Sequence, residues 1–409
     1  QIFPVLNRGE KIGIVGRFTA STLPLSIQSD VSLGLTILDE ENNVLPGLAN
    51  SWEYQEEGKI WIFKLKEGIS WQDGTKIKAK DIKYNFNDVV EEILDDKTLK
   101  FTLKDPFSPF PSVVSRPVFK KGLLGAGLWK VSKISYVAGS GSTLESIKLV
   151  NTKDFKSKLY KFYPTEESAH IALKLAEVNE LFEMVDPKDL ANWKTLSIAA
   201  ETRENLYAAI FMNTQDPIFS DKSARQALAY AINKDNFNGK RATGPIAPFS
   251  WGYNPQVKRY EYNLNRANEL LDTLPKEQRK DLSIKLVTIP TLLSVADKIK
   301  EDWEKVGVIT HIQVSNTIPT EFQALLAIQL IPPDPDQYSF WHSTQETTNI
   351  TKYKNAKESQ RIDKLLEDGR RTLDQDERRK IYLDFQRFLV EDVPAIFLYH
   401  PITYTISKK

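Results

Sequence analysis

The residues able to do acid–base, nucleophilic or metal chemistry are few and scattered. The four histidines, His170, His311, His342 and His400, form no His-Glu-x-x-His pair or other metal-ligand spacing, and there is no cysteine. That removes thiolate metal sites, cysteine nucleophiles and disulfides. Neither a Gly-x-Ser-x-Gly elbow nor a phosphate-binding Walker loop is present. With 54 carboxylates in the chain, pairing them by sequence selects nothing. The expectation is therefore no catalytic residue, no metal and no cofactor. The Gly122, Gly125, Gly127 cluster hints at a phosphate cradle, but it runs into a strand, so no helix dipole stands behind its amides.

Binding chemistry is better represented. Trp251 and Tyr253 follow a Gly-Pro-Ile-Ala-Pro loop, and Tyr338 and Trp341 follow the Pro-rich acidic segment at 332–336 that carries Asp334 and Asp336. Flat aromatic walls with a few polar groups suit extended ligands of variable side chain, because they supply area without demanding one shape. Core packing is the competing reading for Trp251 and Trp341. For His342 and His400 it is an ordinary cleft or surface imidazole. Arg225 reads as an ion-pair partner on a helix flank in preference to an anion ligand.

The elements that must position these residues alternate along an ordinary globular composition. The chain has 409 residues, 41% hydrophobic and 27% charged, with formal net charge +1. No field of either sign argues for nucleic acid. No apolar run reaches the ~18 residues a membrane span needs. The chain starts at Gln1 instead of Met, which points to a removed N-terminal segment: a signal peptide, a lipoprotein anchor or a membrane helix. Residues 60–65 read as a strand, then Trp71-Gln72-Asp73-Gly74 as a turn, then a short helix from Lys78 carrying Ile82, Tyr84 and Phe86. Leu99, Phe101 and Leu103 alternate as a strand. Thr165 caps an acidic first turn. Ala224, Ala227, Leu228, Ala231 and Ile232 recur at helical spacing. Strand, helix and strand over 282–314 predict an α/β unit with parallel pairing. Two helices follow, at 358–372 and 376–390, with charged faces read as solvated surface, and residues 393–400 read as a final strand.

The phrases at 44–86 and 211–235, FMNTQDPIFSDKSARQALAYAINKD in the second case, resemble the extracytoplasmic solute-binding proteins of the oligopeptide, dipeptide and nickel class. The likeness covers nearly the whole chain. It implies an α/β, two-lobed periplasmic-binding-protein-like clamshell with two hinge-crossing strands. Lobe I would hold residues 1–204 and 394–409, and lobe II residues 205–393. About a dozen residues bridge Tyr84 and Leu99, where many relatives carry an extra subdomain, so a compact member is expected, with that subdomain reduced or absent.

By the same resemblance, Thr19, Ser21 and Ser32 lie near the cleft mouth, and Trp251, Tyr253, Asp334, Asp336, Tyr338, Trp341 and His400 face the ligand. The partners implied are a peptide or other small molecule and the membrane permease of an ABC importer, with the binding protein a monomer. One departure stands out. In peptide-binding relatives an aspartate just before the Pro-rich segment pairs with the ligand's α-amino group. Aligning Asp334-Pro335 with the family's acidic pair puts Ile331 at that position. Either Asp334 or Asp336 substitutes, or the ligand lacks an ammonium. The alternative function is a ligand-sensing protein for a sugar, a metal chelate or a lipophilic solute.

Overall fold

The computed structural model describes residues 9–353 and 356–409. The chain divides into two units. Unit 1 holds Gln1–Asp39, Asn43–Glu201 and Thr403–Lys409, and unit 2 holds Glu40–Asn42 and Thr202–Ile402. The first crossing falls within a few residues of position 204. The second falls after Ile402 instead of before Pro394, because the last strand, Ala395–Lys408, is fourteen residues long and serves both units.

In unit 1 the end of that strand pairs with Glu180–Met184. Beyond it come Glu10–Val15, Ser157–Tyr163, Leu144–Asn151 and Trp129–Tyr136 in turn. The hairpin at 137–143 turns on Gly139 and Gly141, both at positive φ. Thr165 caps helix Glu166–Lys174 as its sequence suggests, its hydroxyl accepting from the Ser168 amide at 3.2 Å.

A second, antiparallel sheet has the order Ala49–Gln55, Ile60–Leu65, Thr98–Leu103, Val89–Ile93. Thr98–Leu103 buries every second residue, Leu99, Phe101 and Leu103. The link after Phe86 is thus an edge strand, with no separate subdomain between Asn87 and Lys97.

The helix expected from Lys78 does not form. Only the turn Ala79–Asp81 is helical, its Asp81 carboxylate accepting from the Lys78 amide at 2.9 Å. Ile82, Tyr84 and Phe86 recur at period two, the spacing of extended chain. The Tyr84 and Phe86 rings enter a nest with Phe101 and Phe110, and Ile82 is buried. The Tyr84 hydroxyl donates to Val114 O at 2.6 Å and accepts from the Leu35 amide at 2.9 Å. Burial pushes its pKa well above the usual tyrosine value.

Unit 2 has one large core. Strand Ser283–Thr288, helix Leu293–Glu304 and strand Ile309–Val314 make a parallel β-α-β element. The helix buries Ala296, Ile299 and Trp303 and ends before Gly307, whose positive φ suits the turn. Ala324–Leu330 adds parallel to Ser283–Thr288 and pairs antiparallel with Leu206–Met212, which pairs with the start of Ala395–Lys408. Helix Lys222–Ala231 is capped by Asp221, which accepts from the Ser223 amide at 2.6 Å, and it buries all of its alanines. Arg225 is buried there as a structural residue, but its partners are backbone carbonyls: Asp392 O at 2.7 and 2.9 Å and Phe219 O at 2.6 Å. It therefore ties down the carbonyl end of helix Gln375–Asp392, where a cation is favoured.

Candidate functional site

The acidic segment at 332–336 is gripped by the two long helices that follow it, Ala356–Arg371 and Gln375–Asp392. Arg378 meets Asp334 with two bonds, Nη2 to Oδ1 at 2.7 Å and Nη1 to Oδ2 at 3.1 Å. Its Nε donates to Gly369 O at 2.9 Å and its Nη2 also to the Tyr382 hydroxyl at 3.2 Å. Both ionic groups are nearly closed to water, with side-chain exposures of 7% and 12%. The Asp334 carboxylate beside Arg378 overcomes the burial that would favour the neutral form and holds the guanidinium charged.

Arg370 engages Asp336 in the same way, at 2.9 Å from Nε and 2.8 Å from Nη2. Burial raises the pKa of Asp336 while Arg370 opposes it. The segment also holds itself, with Asp334 accepting from the Asp336 amide at 2.9 Å and Asp336 from the Tyr338 amide at 3.1 Å.

Aromatic rings bracket both arginines. Arg378 lies 5.2 Å from the Trp251 ring and 5.4 Å from that of Tyr382, which meet edge-to-face. Arg370 lies 4.0 Å from the Tyr338 ring, whose other partner is His342, stacked at 4.0 Å. The Thr344 amide donates to His342 Nδ1 at 3.2 Å, so that nitrogen is the acceptor and Nε2–H points to Glu367 at 3.3 Å. Two glycines let these layers close up. A Cβ on Gly252 would sit 2.6 Å from Pro335 Cγ, and one on Gly369 would sit 2.8 Å from Tyr382 Cζ.

Asp334 and Asp336 are thus brought together with Trp251, Tyr338 and His342, but as a closed network. Each carboxylate is paired with an arginine, so neither stands as an unpaired anion. Ile331 carries no replacement, being buried with its amide on Asn205 O at 2.9 Å. Trp341 is also a core residue, 1% exposed and packed between Phe211 and Phe397. His400 is buried in the last strand, with Nδ1–H donating to Leu206 O at 2.7 Å, and burial pushes its pKa below the usual histidine value. The His342 ring is bonded to Thr344 and Glu367. The half-exposed rings that remain beside the network are Trp251, Tyr253 and Tyr338, with the Tyr253 hydroxyl 3.1 Å from Thr243 Oγ1.

The hydroxyls of unit 1 divide similarly. Thr19 and Ser21 lie in an open turn, 3.0 Å from each other. Ser32 is fully buried, its hydroxyl donating to Val118 O and accepting from the Ala126 amide at 3.1 Å, so it faces no ligand. The glycine cluster beside it is no phosphate cradle. The Gly125 and Gly127 amides are spent on Gln72 Oε1 and Val31 O, at 3.3 and 2.8 Å. Gln72 Nε2 returns bonds of 2.9–3.0 Å to Val31, Gly127 and Trp129 carbonyls, making the Trp71-Gln72-Asp73-Gly74 turn a clasp.

Arg370, Arg378, Tyr382 and Gln386 were not legible as site residues, because the charged helices read as solvated surface. A signal existed: Arg378, Tyr382, Phe385, Gln386 and Leu389 share one stripe at helical spacing, and all five are buried.

The architecture is a two-unit mixed α/β one, and no group of three or more metal-ligating side chains occurs among the described residues. The chain matches the bacterial extracellular solute-binding proteins, family 5, over residues 43–350, and it belongs to that family. It is 24% identical to the oligopeptide-binding protein AppA of Bacillus subtilis, over 90% of this chain and 80% of that one. It is likewise 24% identical to the dipeptide-binding protein of Escherichia coli, over 96% and 86%. Among solved structures, NikA of Brucella suis in complex with Fe(III)-EDTA superposes with a TM-score of 0.79 at 18% identity, over 97% of this chain and 95% of that one. The fold is therefore the two-lobed one of the periplasmic binding proteins.

Proposed function

We propose that this protein is the solute-capturing component of an ABC importer, that it acts outside the cytoplasm as a monomer without catalysing a reaction, and that it takes up short peptides for a membrane permease. The observation that carries the reading is the match to peptide-binding relatives along nearly the whole chain, AppA and the dipeptide-binding protein among them. Half-exposed Trp251 and Tyr253 supply aromatic area for such a ligand, and Thr19 and Ser21 supply hydroxyls that bond to each other in an open turn. Attachment to the membrane belongs to the same proposal and is tested by fractionating cells that express the native gene.

Because Asp334 and Asp336 are committed to arginines, the ligand's amino group is not anchored by this segment. Mass spectrometry of molecules retained by the gently purified protein tests the class of ligand: a ladder of short peptides supports capture, and a single non-peptide solute overturns it. Calorimetry with one peptide, free and N-acetylated, then tests the anchor. Affinities within about threefold are expected, whereas a charge-assisted anchor would make acetylation cost tenfold or more, roughly 1.5–3 kcal/mol.

A second reading is favoured by the same committed carboxylates. A solute without an ammonium, a metal chelate for instance, needs no such anchor, and NikA holds Fe(III)-EDTA on this fold. Titration with chelates under the same conditions separates the two.

A further inference from the structure

Unit 2 contains a second polar site, apart from the segment at 332–342. Lys234 is buried and Arg241 half-buried, and both border one cavity of about 20 Å³, with Thr243, Tyr260, Ala242 and Ile396 among its walls. Lys234 reaches three carbonyls: Ala229 O, Ile232 O at 3.2 Å and Tyr260 O at 2.7 Å. Only an ammonium has three N–H bonds to give them, so these acceptors hold it charged against a burial that favours the neutral amine. Two of the carbonyls belong to the end of helix Lys222–Ala231, where a cation is favoured.

Arg241 has less support. Its Nη1 donates to Phe397 O at 2.8 Å and Leu398 O at 3.1 Å. No carboxylate is paired with it among the described residues, although Glu261 and Asp235 act on it from a distance and Arg259 opposes them. Lys258, at the rim, is already matched by Glu391 at 3.1 Å. Two cations therefore stand beside a small cavity with no anion in direct contact. Buried charge is costly unless it is paired. The cavity has room for about one water-sized atom, which suits a monatomic anion.

We propose that this cavity is a halide site that binds one chloride ion beside Arg241, with Lys234 adding charge from behind. The ion completes the electrostatics of unit 2 where helix Lys222–Ala231, strand Gly239–Arg241 and the last strand meet.

Thermal unfolding at constant ionic strength tests this, with sodium chloride exchanged for sodium gluconate. A saturable chloride-dependent rise in Tm is expected for unit 2. At chloride about tenfold above its Kd, the folded-to-unfolded ratio rises roughly tenfold. Bromide substitutes, acetate and sulfate do not, and crystals grown in bromide show an anomalous peak beside Arg241. Arg241→Gln abolishes the rise and Arg241→Lys retains part of it. Should neither fold, Ala242→Val, which fills the cavity, abolishes the rise as well. Equal Tm values for the unaltered protein in chloride and gluconate overturn the proposal, as does an undiminished chloride response in Arg241→Gln or Ala242→Val.

Discussion

Removing the Asp334 carboxylate is the sharpest test of how the 332–336 segment is held. Asp334→Ala leaves Arg378 with its bonds to Gly369 O and Tyr382 but without its counter-charge, at a position only 7% exposed. Stranding one member of a buried, bidentate pair costs about 3–5 kcal/mol. In a unit of this size that lowers Tm by roughly 6–20 °C. Arg378→Met alone falls in the same range, since it strands Asp334 instead. The double variant removes both charges and should cost far less than the two single changes added together, a coupling of at least about 1.5 kcal/mol. Unfolding in guanidinium, followed by tryptophan fluorescence, reports this directly, because Trp251 lies against Arg378. The effect belongs to the transition of unit 2, so the two units must be resolved as separate steps. Single variants within about 1 kcal/mol of the parent, or strictly additive costs, would refute the closed network and return Asp334 to the list of free carboxylates.

Two more outcomes follow from the other unit and from the buried histidine. Gln72→Ala should lower the stability of unit 1 by about 1–3 kcal/mol, because it removes the partner of the Gly125 amide and the donor shared by the Val31, Gly127 and Trp129 carbonyls. Gly125→Ala should cost more, since its Cβ would overlap Val31 O, and circular dichroism melts of both variants measure the difference. His400 is held neutral by burial, so its pKa in the fold lies below the value near 6.5 that it takes when unfolded. The unfolded chain then binds more protons below that value, and stability falls as pH drops from about 7 to about 5. His400→Gln should flatten this part of the denaturation-midpoint profile of unit 2, and an unchanged slope would remove His400 as its source.

Most of the fold was legible because its elements obey simple periods. Leu99, Phe101 and Leu103 alternate, and the alanines of Lys222–Ala231 recur at helical spacing, so tertiary packing agreed with local pattern. Where a charge was buried, pattern misled. Arg378 continues an apolar stripe, and its chemistry hides its position until the Asp334 partner is seen in space. Trp341 illustrates the converse, since a ring in a short segment after a loop reads the same whether it faces solvent or core. The helix expected at 78–86 failed because Ile82, Tyr84 and Phe86 have the spacing of extended chain, and the nest around Phe101 and Phe110 outweighed the local helix signal. Ser32 was named for its family position, while its fully enclosed hydroxyl bridges two loops distant in sequence.

The long last strand carries a consequence for how the protein is made. Leu206–Met212 pairs with its first half and Glu180–Met184 with its second, yet it is translated some two hundred residues later. At roughly 5–20 residues per second the ribosome takes on the order of ten to forty seconds to cover that interval. Throughout it, Leu206–Met212 and Glu180–Met184 each lack this strand as a pairing partner, and neither unit can reach its final form. A chain bound for export is thereby kept unfinished while it is synthesised, and both halves complete their sheets with the same closing segment.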